Sequence, residues 1–420
     1  MKKIISALLF FFSLQDAISQ TLSPIPKKHP GIDYARLSQV DSLLKQYVEK
    51  DWLAGAVVFI VKDNQVVYST GSGYADRETR KPMTPDAIFR IMSQTKAITS
   101  LAVMQLLEKG KFRLDQSIAD FIPSFKNPTV IKSFNRTDST YTSGPAKREI
   151  TFRDLLTHSS GIDYPAIGND TMQAIYAKHR IPSGLGYFNE NLLAKMSDLG
   201  KLPLLHQPGE RFTYGLNTDL LGCLVEVISG ESLESFCQKN IFTPLGMKDT
   251  YFNVPAAKSN RMATVYTEDE QHKIIKWSPV FRNIDPAYPL MPKTYFSGGA
   301  GLSSTAYDYS VFLQMLLNGG RYNGRQILGR RTVELMLSPQ LPDRMFGDDN
   351  FCLGFGLTSQ QSANQSMINK GSFSWGGYYG TSYWADPKEK MICLIMTQQN
   401  PNSHWDYTEK ITNIIYSSLR

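Results

Sequence analysis

The chain has 420 residues, of which 42% are hydrophobic and 20% charged. These proportions are ordinary for globular protein and exclude a wholly disordered, collagen-like or multispan membrane chain. Lys and Arg total 45 against 38 Asp and Glu, a formal net charge of +7, but the cations are scattered among acidic residues, so no nucleic-acid partner is expected.

The N-terminus carries Lys2 and Lys3, a largely apolar run from Ile4 to Leu14, and then Ala17-Ile18-Ser19. This order of charge, apolar run and small residues predicts a signal peptide over 1–19, cleaved before Gln20. The protein is therefore expected to be exported, periplasmic or secreted. The run falls short of the about 20 apolar residues of a membrane span, so no stable membrane insertion is expected. Residues 20–33, with Pro24, Pro26 and Pro30, read as an irregular lead-in to one domain over 34–420.

Residues 34–50 repeat apolar side chains at helical spacing through Leu37, Val40, Leu43, Leu44 and Val48. Strand-like runs follow at Ala56 to Val61 and Gln65 to Thr70, joined by the turn Lys62-Asp63-Asn64. An extended segment, Ala87 to Met92, leads into a helix from Ser93 to Glu108 that closes at Gly110. Residues 127–149 read as an insertion, and the stretch from about 124 to 290 as a mainly helical insert. Within it, a helix through Leu221 to Ile228 stops at Gly230. Another helix spans 305–318. Strands are expected at Tyr378 to Ala385 and Met391 to Gln398, and a last helix at 405–418. The order suggests one mixed sheet assembled from both chain ends, with the helical domain inserted between them.

The four cysteines, Cys223, Cys237, Cys352 and Cys393, form no C-x-x-C pair. A disulfide framework or zinc site is not expected, although a single disulfide stays open. The six histidines show no metal-ligand spacing, and no metal or other cofactor is implied. His158 reads as a structural loop residue.

Ser93-Gln94-Thr95-Lys96 lies where the extended segment meets the helix. Serine needs a base to become a nucleophile. A lysine three residues on shares its helical face and can reach the hydroxyl. The helix N-terminus favours negative charge developing beside Ser93. A second S-x-x-K, Ser42 to Lys45, lies inside the first helix and reads as structural. Tyr214 precedes the helix at Leu221 and can relay a proton or simply pack. Asn217 can cap that helix or contact substrate. Trp375-Gly376-Gly377 can let a substrate approach a strand edge, with the Tyr378 N–H as an oxyanion donor, or can form a turn.

Together these residues resemble the serine β-lactamase and penicillin-binding-protein superfamily, and within it the class C β-lactamase-related group. The resemblance also rests on Phe89-Arg90-Ile91-Met92, Leu155-Leu156-Thr157-His158-Ser159-Ser160-Gly161, Pro208-Gly209-Glu210-Arg211-Phe212, Pro244-Leu245-Gly246-Met247 and Gly298-Gly299-Ala300-Gly301. It implies a β-lactamase/transpeptidase-like α+β fold, an antiparallel sheet flanked by helices. It also implies Ser93 as acylated nucleophile, Lys96 as base or proton relay, Tyr214 as proton shuttle, and Ser93 and Tyr378 N–H groups as the oxyanion hole. Asn217, Trp375, Gly376 and Gly377 are the implied substrate-binding positions. Two departures stand out: the family's Tyr-x-Asn has its Asn one residue late here, at Asn217, and its cation-bearing third motif is Trp375-Gly376-Gly377. An indole cannot hold a drug carboxylate, so small carboxylic esters are the expected substrates. A β-lactam or a D-amino-acid amide is the alternative. A non-catalytic relative that binds cell-wall glycan is the rival from another class.

Overall fold

The computed structural model describes residues 21–186, 189–279 and 284–420. The signal peptide expected at 1–19 lies outside the described residues.

A short helix, Tyr34–Leu37, is capped by Asp33, whose carboxylate accepts from the Ala35 and Arg36 N–H groups. Helix α1, Gln39–Glu49, follows, so the single helix expected at 34–50 is split at Ser38. Leu37, Val40 and Leu44 are buried, while Ser42 and Lys45 face water. Strand β1 (Gly55–Lys62) pairs with β2 (Gln65–Asp76), which pairs with the short β3 (Lys81–Pro82). β2 extends six residues past the expected Thr70. Its second half is rich in Gly and Ser, residues that weaken the strand signal. Gly71 is needed there, because a Cβ would stand 2.3 Å from the Met83 carbonyl oxygen.

Three further helices matter for the site: α2 (Thr95–Glu108), α3 (Asn217–Ser229) and α4 (Ala306–Leu317). The other end of the chain supplies β4 (Asn350–Phe351), β5 (Gly356–Leu357), β6 (Phe373–Gly376), β7 (Ser382–Asp386) and β8 (Met391–Thr397). Helix α5 (Tyr407–Ser417) closes the described chain. The sheet order is β4-β5-β6-β7-β8-β1-β2-β3, and its pairings are antiparallel rather than mixed. β1 and β8 join the two chain ends at the centre, from Ala56 opposite Thr397 to Lys62 opposite Met391.

Both faces of this central pair are covered, which explains its unbroken apolar run. Side chains alternate across the sheet. Val57, Phe59 and Val61 join a core with α2, α3 and α4, whereas Val58 and Ile60 pack with Leu44, Tyr47, Ile411 and Ile415 of α1 and α5. The region from 124 to 290 holds helices such as Asp170–Lys178 and Leu192–Leu199. It also holds two hairpins, Thr129–Phe134 with Tyr141–Pro145 and Tyr266–Glu268 with Ile274–Lys276. The supposed insertion at 127–149 is the first of these. All four cysteines are buried and free.

The strand expected from Tyr378 begins instead at Ser382. Gly377 donates to the Thr381 carbonyl at 2.7 Å and Gly380 to the Gly377 carbonyl at 2.9 Å, so 377–380 is the turn between β6 and β7. Gly380, at φ +85°, supplies the left-handed position this turn requires. Among the described residues no helix is long and apolar enough to cross a membrane.

Candidate active site

The segment before α2 is pinned on both sides. Phe89–Arg90 pairs with Ser303–Ser304. Met92 takes φ +46°, a left-handed conformation unfavourable for any residue with a Cβ. Buried packing holds it there: Met92 shares a cluster with Leu185, Trp277, Tyr288 and Tyr379. A 3-10 turn, Met92–Gln94, then places half-buried Ser93 one turn ahead of Lys96. This local backbone strain fixes the direction of Ser93. The Ser93 N–H, at the very start of the helical run, has no acceptor in the preceding turn.

Lys96 is only 2% exposed. Its Nζ lies 3.2 Å from Ser93 Oγ, 3.0 Å from the Tyr164 hydroxyl and 2.8 Å from the Gly299 carbonyl oxygen. The carbonyl can only accept. A neutral amine donating to Gly299 and Tyr164 therefore keeps its lone pair for the Ser93 hydroxyl proton. The Nζ also stands 4.6 Å from the Tyr214 ring centre. Burial is the largest influence on Lys96 and opposes its charge; negative charge on Tyr164 and Tyr214 outweighs it and raises the ammonium's pKa. Burial, however, also pushes the Tyr164 phenol up, against the pull of Lys96. Near neutral pH Tyr164 keeps its proton, its share of the support for the ammonium is missing, and burial favours the amine.

Tyr164 is the residue sequence reasoning missed. It lies three positions beyond the Thr157-His158-Ser159-Ser160-Gly161 block, and that proximity was its available signal. The loop is fastened by Asp163, whose carboxylate accepts from the Tyr164 N–H at 2.7 Å and the Asn169 N–H at 2.7 Å. Behind Tyr164 stands the buried carboxylate of Asp219, in the first turn of α3. A Cβ on Gly299 would stand 2.4 Å from Asp219 Oδ2 and 3.1 Å from the Tyr164 hydroxyl, so glycine makes this meeting possible.

Tyr214 is half-buried, with its ring 5.4 Å from Tyr164 and 5.7 Å from Trp375. The Trp375 Nε1–H points to its hydroxyl at 3.4 Å. His158 supports this loop. Its Nδ1 faces the Gly215 N–H at 3.4 Å and the Asn217 amide at 3.0 Å. A backbone N–H can only donate, so Nδ1 accepts and the ring proton sits on Nε2. Burial holds His158 well below the usual imidazole range, which keeps it neutral. It is the structural loop residue expected.

Asn217 does not meet either expectation. It is fully buried as the first residue of α3, not its cap. Its Oδ1 accepts from the Ser160 hydroxyl at 2.5 Å, and its Nδ2 faces His158. With both ends of the amide engaged inside the protein, it ties the Tyr214 loop to the 158–164 loop and offers nothing to a substrate. Trp375 and Gly376 end β6 beside the site, half-buried and exposed. Gly377 approaches so closely that a Cβ would stand 2.5 Å from the Ile91 carbonyl oxygen. This contact sets the turn carrying Tyr378 against the segment that carries Ser93. A cavity of about 560 Å³ lined by Phe59, Lys248, Asp308 and Tyr322 contains none of these groups, and geometry rather than cavity size marks the site.

Burial raises Asp219 to about 6 from the ordinary 3.8. Between these values the folded protein keeps a proton that the unfolded chain releases, so stability falls as pH rises from 4 to 6. Asp219→Asn removes that term. The stability of the variant relative to wild type should rise by about 3 kcal/mol between pH 4 and pH 7. Denaturant titrations at the two pH values check this, and a pH-independent difference would contradict it.

Among the described residues no His, Cys, Asp and Glu cluster suited to a metal occurs. The arrangement sets an amine and a phenol beside a serine hydroxyl, groups that can take up its proton and give it back. Esterase EstB of Burkholderia gladioli is 26% identical over 87% of this chain and 92% of its own. A putative D-alanyl-D-alanine carboxypeptidase of Escherichia coli (strain K12) is 25% identical over 98% of this chain and 93% of its own. The solved structure of EstCE1, a hydrolase with promiscuous acyltransferase activity, superposes with a TM-score of 0.78 at 25% identity, over 91% of this chain and 99% of the other. The family model described as Beta-lactamase matches residues 40–412, and the chain belongs to that family.

Proposed function

We propose that the protein is an exported serine hydrolase that cleaves small carboxylic esters, or passes their acyl group on, through an acyl-Ser93 intermediate. The observation that carries this reading is the buried Lys96 Nζ at 3.2 Å from Ser93 Oγ, aimed by Gly299 and Tyr164. Lys96 takes the Ser93 proton as Oγ attacks the carbonyl carbon. The carbonyl electron pair moves onto oxygen, and the oxyanion rests on the Ser93 and Tyr378 N–H groups. As the tetrahedral adduct collapses, the ester C–O bond breaks and the departing oxygen receives a proton from Lys96 or Tyr214. Water, deprotonated by the same pair, releases the acid and frees Ser93.

Trp375 supports ester over β-lactam hydrolysis. It offers a half-buried indole where related enzymes use a cation for a substrate carboxylate. The name of EstB supports the same choice, while the carboxypeptidase relative keeps a D-amino-acid amide as the second reading. Rates on short-chain and medium-chain esters, a chromogenic cephalosporin and a D-alanyl-D-alanine peptide separate these. Ester kcat/KM should exceed the others by about 10²-fold or more, the scale on which a mismatched polar group discriminates. Cephalosporin turnover without ester turnover would reverse the assignment. Export rests on the N-terminal pattern, and the N-terminal residue of the mature protein tests it.

A further inference from the structure

Four aromatic rings continue outward from Tyr214. Phe212 lies two residues before it, Phe351 is in β4, Trp375 is in β6, and Phe346 comes from the loop preceding β4. Phe346 stands 4.8 Å from Phe212 and 5.1 Å from Phe351 between ring centres, and 6.0 Å from Trp375 at an interplanar angle of 29°. Phe351 is buried and forms the floor, whereas Phe212, Phe346 and Trp375 are half-buried and keep part of their rings open. The loop that brings Phe346 also carries Asp343, Arg344 and Asp348, all exposed. Open aromatic rings continuous with a reactive site can serve as a ligand groove.

Resting on the reading of Ser93 as the acylated nucleophile, we propose that this wall binds the alcohol half of the ester and selects aryl or bulky apolar alcohols. The side of the substrate follows from the proton. The departing oxygen must lie beside its donors, Lys96 and Tyr214. Tyr214 is in ring contact with Trp375, so whatever is bonded to that oxygen runs onto Trp375 and then Phe346. The carbonyl oxygen instead rests on the Ser93 and Tyr378 N–H groups, so it is the departing oxygen that faces Tyr214. Offset and edge-on ring contacts then favour an aromatic group over an alkyl one.

The test uses two ester series on the full-length mature protein, wild type against Phe346→Ala and Phe346→Leu. One series keeps an acetyl group and varies the alcohol from ethyl to phenyl to naphthyl; the other keeps ethanol and lengthens the acyl chain. Phe346→Ala should lower kcat/KM for the aryl acetates by about tenfold. Ethyl esters should change less than twofold whatever their acyl chain, and Phe346→Leu should recover part of the loss. Deacetylation, measured from one common acetyl-enzyme, should be unchanged, because the alcohol has already left. Equal losses on all alcohols, or losses that grow with acyl length, would overturn the proposal. Absence of any acetyl group on Ser93 would instead overturn the reading on which it rests.

Discussion

Ser93→Ala is expected to lower kcat by about 10⁴-fold to 10⁶-fold on any ester the wild type turns over, the loss typical when a serine nucleophile is removed. Ser42→Ala leaves kcat within about twofold, as expected for a surface substitution away from special features. The two serines share the same S-x-x-K spacing, so the pair isolates what the structure adds to the motif. Ser42 and Lys45 are exposed, and Lys45 spends its charge on Glu49 at 3.7 Å. Ser93 stands at a strained turn with a buried amine 3.2 Å away and glycine-permitted backbone pressed against its segment. Steady-state kinetics on the two variants, with circular dichroism to establish folding, measure the difference. Equal losses would show that the wrong serine has been chosen.

The second large effect belongs to Lys96 and its unexpected neighbour. Lys96→Met keeps a similar buried stem without the amine and should lower kcat/KM by about 10²-fold to 10⁴-fold, the range of general acid–base contributions. Tyr164→Phe should have a smaller effect on rate, about tenfold to 10²-fold, and a distinctive effect on the pH profile. Activity requires the neutral amine, so it rises with pH through the Lys96 transition. The protonated Tyr164 hydroxyl accepts a hydrogen bond that favours the ammonium. Its removal lowers the Lys96 transition, and the acid limb of kcat/KM should move to lower pH. Tyr164 acting only as packing would lower stability and leave that limb in place.

Local features of the site were legible before the fold was known. Ser93 and Lys96 are one helical turn apart, and helical geometry alone puts them on one face. Tyr214 was readable because its loop leads directly into α3. Tyr164 was not, since it reaches Lys96 from 68 positions away through a loop held by Asp163 and Asn169. Asn217 went astray for a related reason. A polar residue at a helix start fits a cap or a ligand contact equally well in sequence, and only the tertiary neighbours Ser160 and His158 show that its amide points inward.

The same division holds for the fold. β1 and β8 were evident as apolar runs because the sheet is buried on both faces. Their antiparallel partnership across more than three hundred residues was suggested only by element order. The second half of β2 was hidden by its glycines, Gly71 where Met83 crosses too closely for a side chain and Gly73 where Ala54 does. Tyr378 was expected to open a strand, but the hydrogen bonds of Gly377 and Gly380 make it part of a turn. That placement leaves the proposed oxyanion role intact while changing its source: the donor comes from a tight turn set by glycine against Ile91.

The most direct test of the central claim is the site of acylation. Mature protein is mixed with an aryl ester, quenched in acid within the first turnover, digested and analysed by peptide mass spectrometry. The account predicts one acyl group, on Ser93, which is absent in Ser93→Ala and persists longer in Lys96→Met than its slow formation alone would allow. Turnover of the ester with the acyl group on another residue, or with none on Ser93 at any quench time, would contradict it.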